Sequence, residues 1–304
     1  LVGRTPTIPI ADPESGSTLW LKLEYLLPSG STKDRVAAFI LAHGLETGAI
    51  GADTVVVEAS SGSTSIAFAM ACAVVGLRFR AVMPEGVSEE RHLIIRRYGG
   101  EVVLTSRAEG VLGAIEATRR MAAEDARVFL PRQFENPLNA LAHQRATGPE
   151  LIADVGHTIS GFVAGVGTGG TLMGIARALR EAGHATTIAR VVPQQGACFA
   201  GQPEVCGGIP GVVDGLSRIL DPRAVDLADD LHVPDVEAIA AARELCALGF
   251  PVGPSSGLNY AAARRLARRL GPGKHVATVL CDRMERYFST DLFDDLRVAP
   301  VTTV

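Results

Sequence analysis

The sequence predicts an α/β protein built on open, mostly parallel sheets with helices on both faces. Short β-branched runs alternate with longer helical patterns along almost the whole chain. The strand runs are near-continuously apolar, as strands buried on both faces of a parallel sheet must be. Four Gly- or Ser-rich segments fall where a strand hands over to a helix, at the carboxyl-end turns where such sheets bind ligands.

Taken in order, the first strand is expected over residues 19–24, its alternation placing Lys22 on a solvated face. Ser29-Gly30-Ser31-Thr32 then opens a helix over 33–47. A strand over 54–58 runs into Ser60-Ser61-Gly62-Ser63-Thr64 and a helix over 64–75. The unit repeats as strand 78–83 with helix 88–97, and strand 101–104 with helix 108–124. A helix over 139–153 precedes strand 161–165, the loop Gly165-Val166-Gly167-Thr168-Gly169-Gly170-Thr171 and a helix over 171–182. Strand 188–192 follows. Gly253-Pro254-Ser255-Ser256-Gly257 leads into a helix over 258–270, and strand 275–280 closes the pattern. No repeat with a period of roughly 20–50 residues and no low-complexity segment interrupts it.

Composition narrows the function. The 304 residues carry 29 Lys+Arg against 33 Asp+Glu, a formal charge of −4, with 47% hydrophobic and 20% charged residues. That is enough apolar surface for a large core. A mildly acidic chain lacks the basic surface that non-specific nucleic-acid binding needs. The longest apolar run, residues 66–77, is about half the roughly 20 residues of a membrane-spanning helix. No charged-then-apolar leader opens the chain, and a start without Met is expected of a processed or trimmed product. Five widely spaced cysteines without a CxxC pair are neither a disulfide framework nor a zinc site, so a reducing cytoplasm is expected. The seven histidines show no metal spacing. Arg264-Arg265 and Arg268-Arg269 read as a solvated helix face, and Cys281 as a small hydrophobe at a strand end.

Only three of the basic residues are lysine. Lys274 lies in a turn and is expected at the surface. Lys33 follows Gly30-Ser31-Thr32 and opens a helix, where the positive end of the helix dipole lowers an ammonium pKa. Such a lysine suits a Schiff base with an aldehyde cofactor. The Gly167–Thr171 loop, between an apolar strand and a helix, offers backbone N–H groups and a helix N-terminus to a phosphate. It also satisfies GxGxxG, so a nicotinamide-dependent oxidoreductase is a more distant alternative. That fingerprint expects a carboxylate about 20 residues on, at the end of the next strand. Here that strand ends in Pro193-Gln194-Gln195, so a monophosphate fits better than a dinucleotide. An aldehyde and a monophosphate together describe pyridoxal 5′-phosphate.

With these residues in place, the chain resembles the cysteine synthase (O-acetylserine sulfhydrylase)-like enzymes, fold type II pyridoxal-phosphate enzymes related to the tryptophan synthase β subunit. The matching stretches run in family order: Gly3-Arg4-Thr5-Pro6, Gly30-Ser31-Thr32-Lys33-Asp34-Arg35, residues 58–64, Gln133-Phe134-Glu135-Asn136-Pro137, Thr147-Gly148-Pro149-Glu150, residues 167–171, Ser255-Ser256-Gly257 and residues 282–290. The resemblance implies that Lys33 is the Schiff-base lysine and proton carrier. It implies that Gly167, Thr168, Gly169, Gly170 and Thr171 hold the phosphate, and that Ser255 faces the pyridine nitrogen. Ser60, Ser61, Gly62 and Thr64 would grip the substrate carboxylate, with Gln133 as a further contact.

The resemblance also implies a smaller domain over 36–136 and a larger one from 1–35 plus 137–304, in a homodimer. The implied reaction is β-replacement on an activated serine, O-acetylserine or O-phosphoserine, through an aminoacrylate, with a small nucleophile as second substrate. The alternative keeps the first half and ends in elimination, as in a cysteine desulfhydrase or a serine/threonine dehydratase. Two departures stand out. Ser63 occupies the place of an asparagine that reaches the cofactor's phenolic oxygen, and Cys206-Gly207-Gly208-Ile209-Pro210-Gly211 replaces a Gly-Ile-Gly stretch that closes over substrate.

Overall fold

A computed structural model describes residues 2–60, 62–194, 198–199, 209–228 and 230–297; of 198, 199 and 214 only the backbone is described. Ser61, residues 195–197 and residues 206–208 therefore lie outside the described residues.

Strands β1 (Thr7–Asp12) and β2 (Ser17–Leu23) form an antiparallel hairpin. There follow α1 (Lys33–Glu46), β3 (Val55–Ala59), α2 (Ser63–Val75), β4 (Arg78–Pro84), α3 (Glu89–Arg97), β5 (Glu101–Thr105), α4 (Gly110–Glu124) and β6 (Val128–Phe129). The chain continues through α5 (Leu138–Ala142), a π-helical turn (His143–Thr147), α6 (Gly148–Val155), β7 (Gly161–Gly165), α7 (Gly170–Glu181) and β8 (Thr187–Pro193). The short pair β9 (Cys198–Phe199) and β10 (Val213–Asp214) leads to β11 (Leu231–Val233), α8 (Asp235–Ala247), α9 (Pro254–Leu270), β12 (His275–Leu280) and α10 (Asp294–Arg297).

Two sheets organise these elements. One has the order β5-β4-β3-β6 and is parallel throughout; the other has the order β1-β2-β12-β7-β8-β11 and is parallel except for the β1–β2 hairpin. Both faces of each sheet are covered, which explains the unbroken apolar strands. In the larger sheet Leu19, Leu21, Val276 and Leu280 pack with Leu258 and Leu266 of α9, while Ala277 and Val279 pack with Leu172 and Ile175 of α7. In the smaller sheet Val56, Ala81 and Met83 meet Ile40 of α1 and Ile66 of α2, while Val55, Val57 and Val82 meet Ala114 of α4.

All seven expected strands are present. The sequence reading misses β1, a half-exposed edge strand containing Pro9; β6, β9, β10 and β11, strands of two or three residues; the four-residue α10; and α8, an Ala-rich helix without a sharp apolar stripe. Two expectations are corrected. Lys22 is not solvated, because α6 covers its face of β2: it is fully buried, donating to Thr5 O (2.6 Å) and pairing with Glu150 (3.1 Å) and Asp154 (3.3 Å). The segment 253–257 follows α8 and an isolated bridge at Val252, not a strand, and α9 already begins at Pro254. The α9 arginines form the solvated face expected of them, in surface pairs of Arg264 with Glu244, Arg265 with Glu237 and Arg268 with Glu14.

Candidate active site

The adjacency β2-β12-β7 brings three chain segments to one end of the larger sheet. Residues 29–33 leave β2, Cys281 and Asp282 leave β12, and the Gly-rich loop leaves β7. Ser31 bridges Asp282, and Thr32 N–H donates to Cys281 O at 2.9 Å, so Lys33 starts α1 beside the end of β12. Lys33 is half-buried. Burial lowers its ammonium pKa, while Cys281, Asp282 and Glu24 pull it back up. The sequence reading has the direction of the shift from the helix terminus; burial, which it does not invoke, is its largest identified cause. Burial pushes the Cys281 thiol up to about 12, so it stays protonated, with Asn259 Nδ2 3.4 Å from its sulfur.

A buried ion network anchors the first turn of α1. Arg35, two residues after Lys33, donates to Glu24 at 2.6 and 2.7 Å and to Glu150 at 2.8 and 2.7 Å. Glu24 also accepts from the hydroxyls of Thr5 (2.6 Å) and Thr32 (3.2 Å). The α1 geometry that orients Lys33 is thus tied to β2 and α6.

Within 167–171, Gly169, whose φ of +82° favours glycine, is the N-cap of α7, and Gly170 and Thr171 are its first residues. The first N–H groups of a helix have no intrahelical acceptor, so they are available to an anion. A Cβ on Gly170 would stand 1.8 Å from Asn139 Oδ1, and one on Gly167 would stand 2.2 Å from Gly211 O. Asn139, buried in α5, donates to Gln133 O (2.9 Å) and Thr168 Oγ1 (3.0 Å). Thr171 Oγ1 lies 3.3 Å from His143 Nε2, whose Nδ1 lies 2.8 Å from Thr147 Oγ1 across the π-turn. Burial, then the charges of Lys33 and Arg35, hold His143 well below its ordinary pKa and therefore neutral.

The end of β3 supplies the second loop. Ser60 N–H donates to Val82 O (3.1 Å) and its hydroxyl accepts from Gly62 N–H (3.3 Å). A Cβ on Gly62 would meet nothing within 4 Å, which leaves space for a ligand at the N-terminus of α2. Thr64 Oγ1 donates to Gln133 Oε1 (2.6 Å), and Gln133 Nε2 donates to Ala59 O (2.9 Å). Ser63 Oγ donates to Asp282 Oδ2 (2.8 Å), which also accepts from Tyr287 OH (2.7 Å). Ser255, at the start of α9, hydrogen-bonds the Cys281 thiol. The chain Thr64–Gln133–Asn139–Thr168 and the contacts of Asp282 thus join both loops to the surroundings of Lys33. Among the expected site residues, only Ser61 lies outside the described ones.

Residues 1–282 match the family described as "Pyridoxal-phosphate dependent enzyme". The chain belongs to that family. It is 37% identical to cysteine synthase B of Campylobacter jejuni, over 96% of this chain and 97% of that one. Among solved structures it is similar to an O-acetylserine-dependent cystathionine β-synthase from Helicobacter pylori, with a TM-score of 0.88 and 32% identity over 96% of each chain. It is similar too to an O-ureido-L-serine synthase, with a TM-score of 0.89 and 33% identity over 98% of this chain and 95% of the other. The chain is therefore a cysteine synthase-like, pyridoxal-phosphate-dependent enzyme. The family membership sets aside the nicotinamide alternative for the GxGxxG loop.

The residues fit that cofactor. Backbone amides and neutral hydroxyls at 167–171, with no carboxylate in the loop, suit a phosphate ester, and Lys33 opens a helix at the same sheet end, whereas Lys22 near the end of β2 is taken up by Glu150 and Asp154. Asn139 and Asp282 escaped the sequence reading, as did the bonding of His143. A buried amide, carboxylate or imidazole must find partners, but nothing in the sequence spacing says which ones.

Proposed function

We propose that this chain catalyses β-replacement on an activated serine such as O-acetylserine, giving cysteine or a related β-substituted alanine. The observation that carries the reading is the joining of Lys33 and the 167–171 loop, at one end of the larger sheet, to the Ser60–Thr64 loop of the smaller sheet through Gln133, Asn139 and Asp282, in a cysteine synthase-like chain. The synthase relatives favour replacement over elimination.

Pyridoxal phosphate, when bound, supplies a carbonyl that condenses with amino groups and a conjugated ring that takes up electrons from the substrate's α-carbon. Gly167, Thr168, Gly169, Gly170 and Thr171 would hold its phosphate, and Ser255 would offer a neutral hydroxyl to its ring nitrogen, where a modest electron pull is expected. Ser63, which donates to Asp282, would face the phenolic oxygen. Lys33 would carry the cofactor and, with its ammonium pKa lowered by burial, would take the α-proton. Ser60, Ser61, Gly62 and Thr64, with Gln133, orient the substrate carboxylate at the N-terminus of α2. The β-leaving group departs with its bonding electrons, and a small nucleophile takes its place.

We assign residues 36–136 to a smaller domain and 1–35 plus 137–304 to a larger one, and read the protein as a cytoplasmic homodimer in amino-acid biosynthesis, without nucleic-acid or membrane partners. No helix among the described residues is long and apolar enough to cross a membrane. The test is an absorbance spectrum of the purified protein before and after O-acetylserine, with Lys33→Ala alongside. A visible band that shifts with O-acetylserine and is lost in the variant is expected. A protein that stays colourless when pyridoxal phosphate is supplied refutes the reading.

A further inference from the structure

Glu58 is a buried carboxyl that the proposed reaction does not use. It lies in β3 immediately before the Ser60–Thr64 loop, is 4% exposed, and pairs with no cation among the described residues. Its partners are three backbone N–H groups. Ala59 N–H donates to Oε1 at 2.9 Å, Gln133 N–H donates to Oε2 at 3.2 Å, and the N–H of Arg132 also points to it. The second and third belong to a turn with an unusual backbone: Arg132 has φ of +54°, in the left-handed region that residues with a Cβ seldom occupy. The carbonyl of Arg132 closes the turn by accepting from Glu135 and Asn136 N–H, each at 2.9 Å.

The turn carries Gln133, which holds Thr64 through its Oε1 and Ala59 O through its Nε2. Glu58 therefore ties the two ends of one hydrogen-bond circuit, the strand that launches the Ser60–Thr64 loop and the turn that presents Gln133 to it. Three converging donors require an acceptor with more than one oxygen. A carboxyl provides two oxygens that can accept, its protonated one included, whereas a glutamine amide has one oxygen and an N–H₂ that cannot accept.

We propose that Glu58 is a positioning residue for substrate recognition, fixing the left-handed turn at Arg132 so that Gln133 locks Thr64 in place. This rests on the reading that Thr64 and Gln133 meet the substrate carboxylate. The test uses the holoenzyme and follows its visible absorbance against O-acetylserine concentration. Glu58→Gln is expected to raise the half-saturating concentration about tenfold, the effect of losing about one hydrogen bond. It is expected to leave half-saturation of the apoprotein by pyridoxal phosphate unchanged. In a Gln133→Ala background the same substitution should add little, because Glu58 acts through Gln133.

Glu58→Asp, which keeps both oxygens one methylene short, should move the half-saturating concentration in the same direction if Glu58→Gln does not fold. Amide hydrogen exchange supplies a readout that needs no substrate: the Gln133 and Ala59 amides should exchange faster in either variant. An unchanged half-saturating concentration overturns the proposal, as does a full-sized effect in the Gln133→Ala background or wild-type protection of the two amides. If wild-type holoenzyme does not respond to O-acetylserine, the functional reading fails, and the exchange measurement alone decides the role of Glu58.

Discussion

Arg35→Met would remove the cation that two carboxylates share at the start of α1. Glu24 is fully buried and Arg35 is 3% exposed, with four contacts between 2.6 and 2.8 Å from Arg35 to Glu24 and Glu150. Taking one partner from a buried pair strands the other, at about 3–5 kcal/mol, whereas an exposed pair is worth about 1 kcal/mol or less. The loss should be read by urea unfolding at neutral pH.

The acid limb gives a second measure. Burial pushes the Glu150 carboxyl up, but hydrogen bonds from Arg35, Arg4 N–H and Lys22 outweigh it and hold the group at about 2, against an ordinary 4.5. A carboxyl with a lowered folded-state pKa stabilises the fold above pH 4.5 and loses that contribution as pH falls towards about 2, here about 3 kcal/mol. Arg35→Met should flatten this limb. Adding Glu24→Met should recover part of the neutral-pH loss, because no buried charge is then left alone at that position. A loss below about 1 kcal/mol, or an acid limb like wild type's, would refute the network as the anchor of α1.

The Glu58 carboxyl, pushed up to about 8 by burial against three backbone donors, acts in the opposite sense. The folded state keeps a proton that the unfolded chain releases above about 4.5, so stability falls as pH rises from 4.5 to 8, by about 5 kcal/mol in all. Glu58→Gln should abolish that slope in urea titrations across the range. Gly174→Ala should cost about 1–3 kcal/mol in thermal or urea unfolding and weaken pyridoxal phosphate binding. Its Cβ would stand 2.3 Å from Ala140 O and 2.6 Å from His143 Cβ, forcing α7 away from the π-turn that supports Thr171. Ser63→Ala removes one of the two hydroxyls on Asp282 and should cost about 1 kcal/mol; a change of visible spectrum in the reconstituted variant would place Ser63 against the cofactor.

The fold class was legible because burial on both faces writes itself into apolar runs such as Val55-Val56-Val57, and because Gly and Ser mark the turns that carry chemistry. Lys33 and the 167–171 loop stood out for local reasons, namely a scarce lysine at a helix start and a glycine-dense strand–helix turn. Lys22 did not, because alternation along β2 says nothing about the helix that covers its face. Asn139, Asp282 and Glu58 act through partners 29, 219 and 75 residues away, and such partnerships exist only once the sheets have formed.

The strand order has a consequence for synthesis on the ribosome. The four-stranded sheet is complete in sequence once residue 129 has emerged. The larger sheet must wait for β12, which pairs directly with β2, so the early hairpin keeps one edge unfilled while about 150 more residues are added. At about 5–20 residues per second this takes about 8–30 s. A product broken off before residue 275 would retain Lys33 and the Gly-rich loop, yet carry open edges on β2 and β7 and be an aggregation hazard rather than a weakened enzyme.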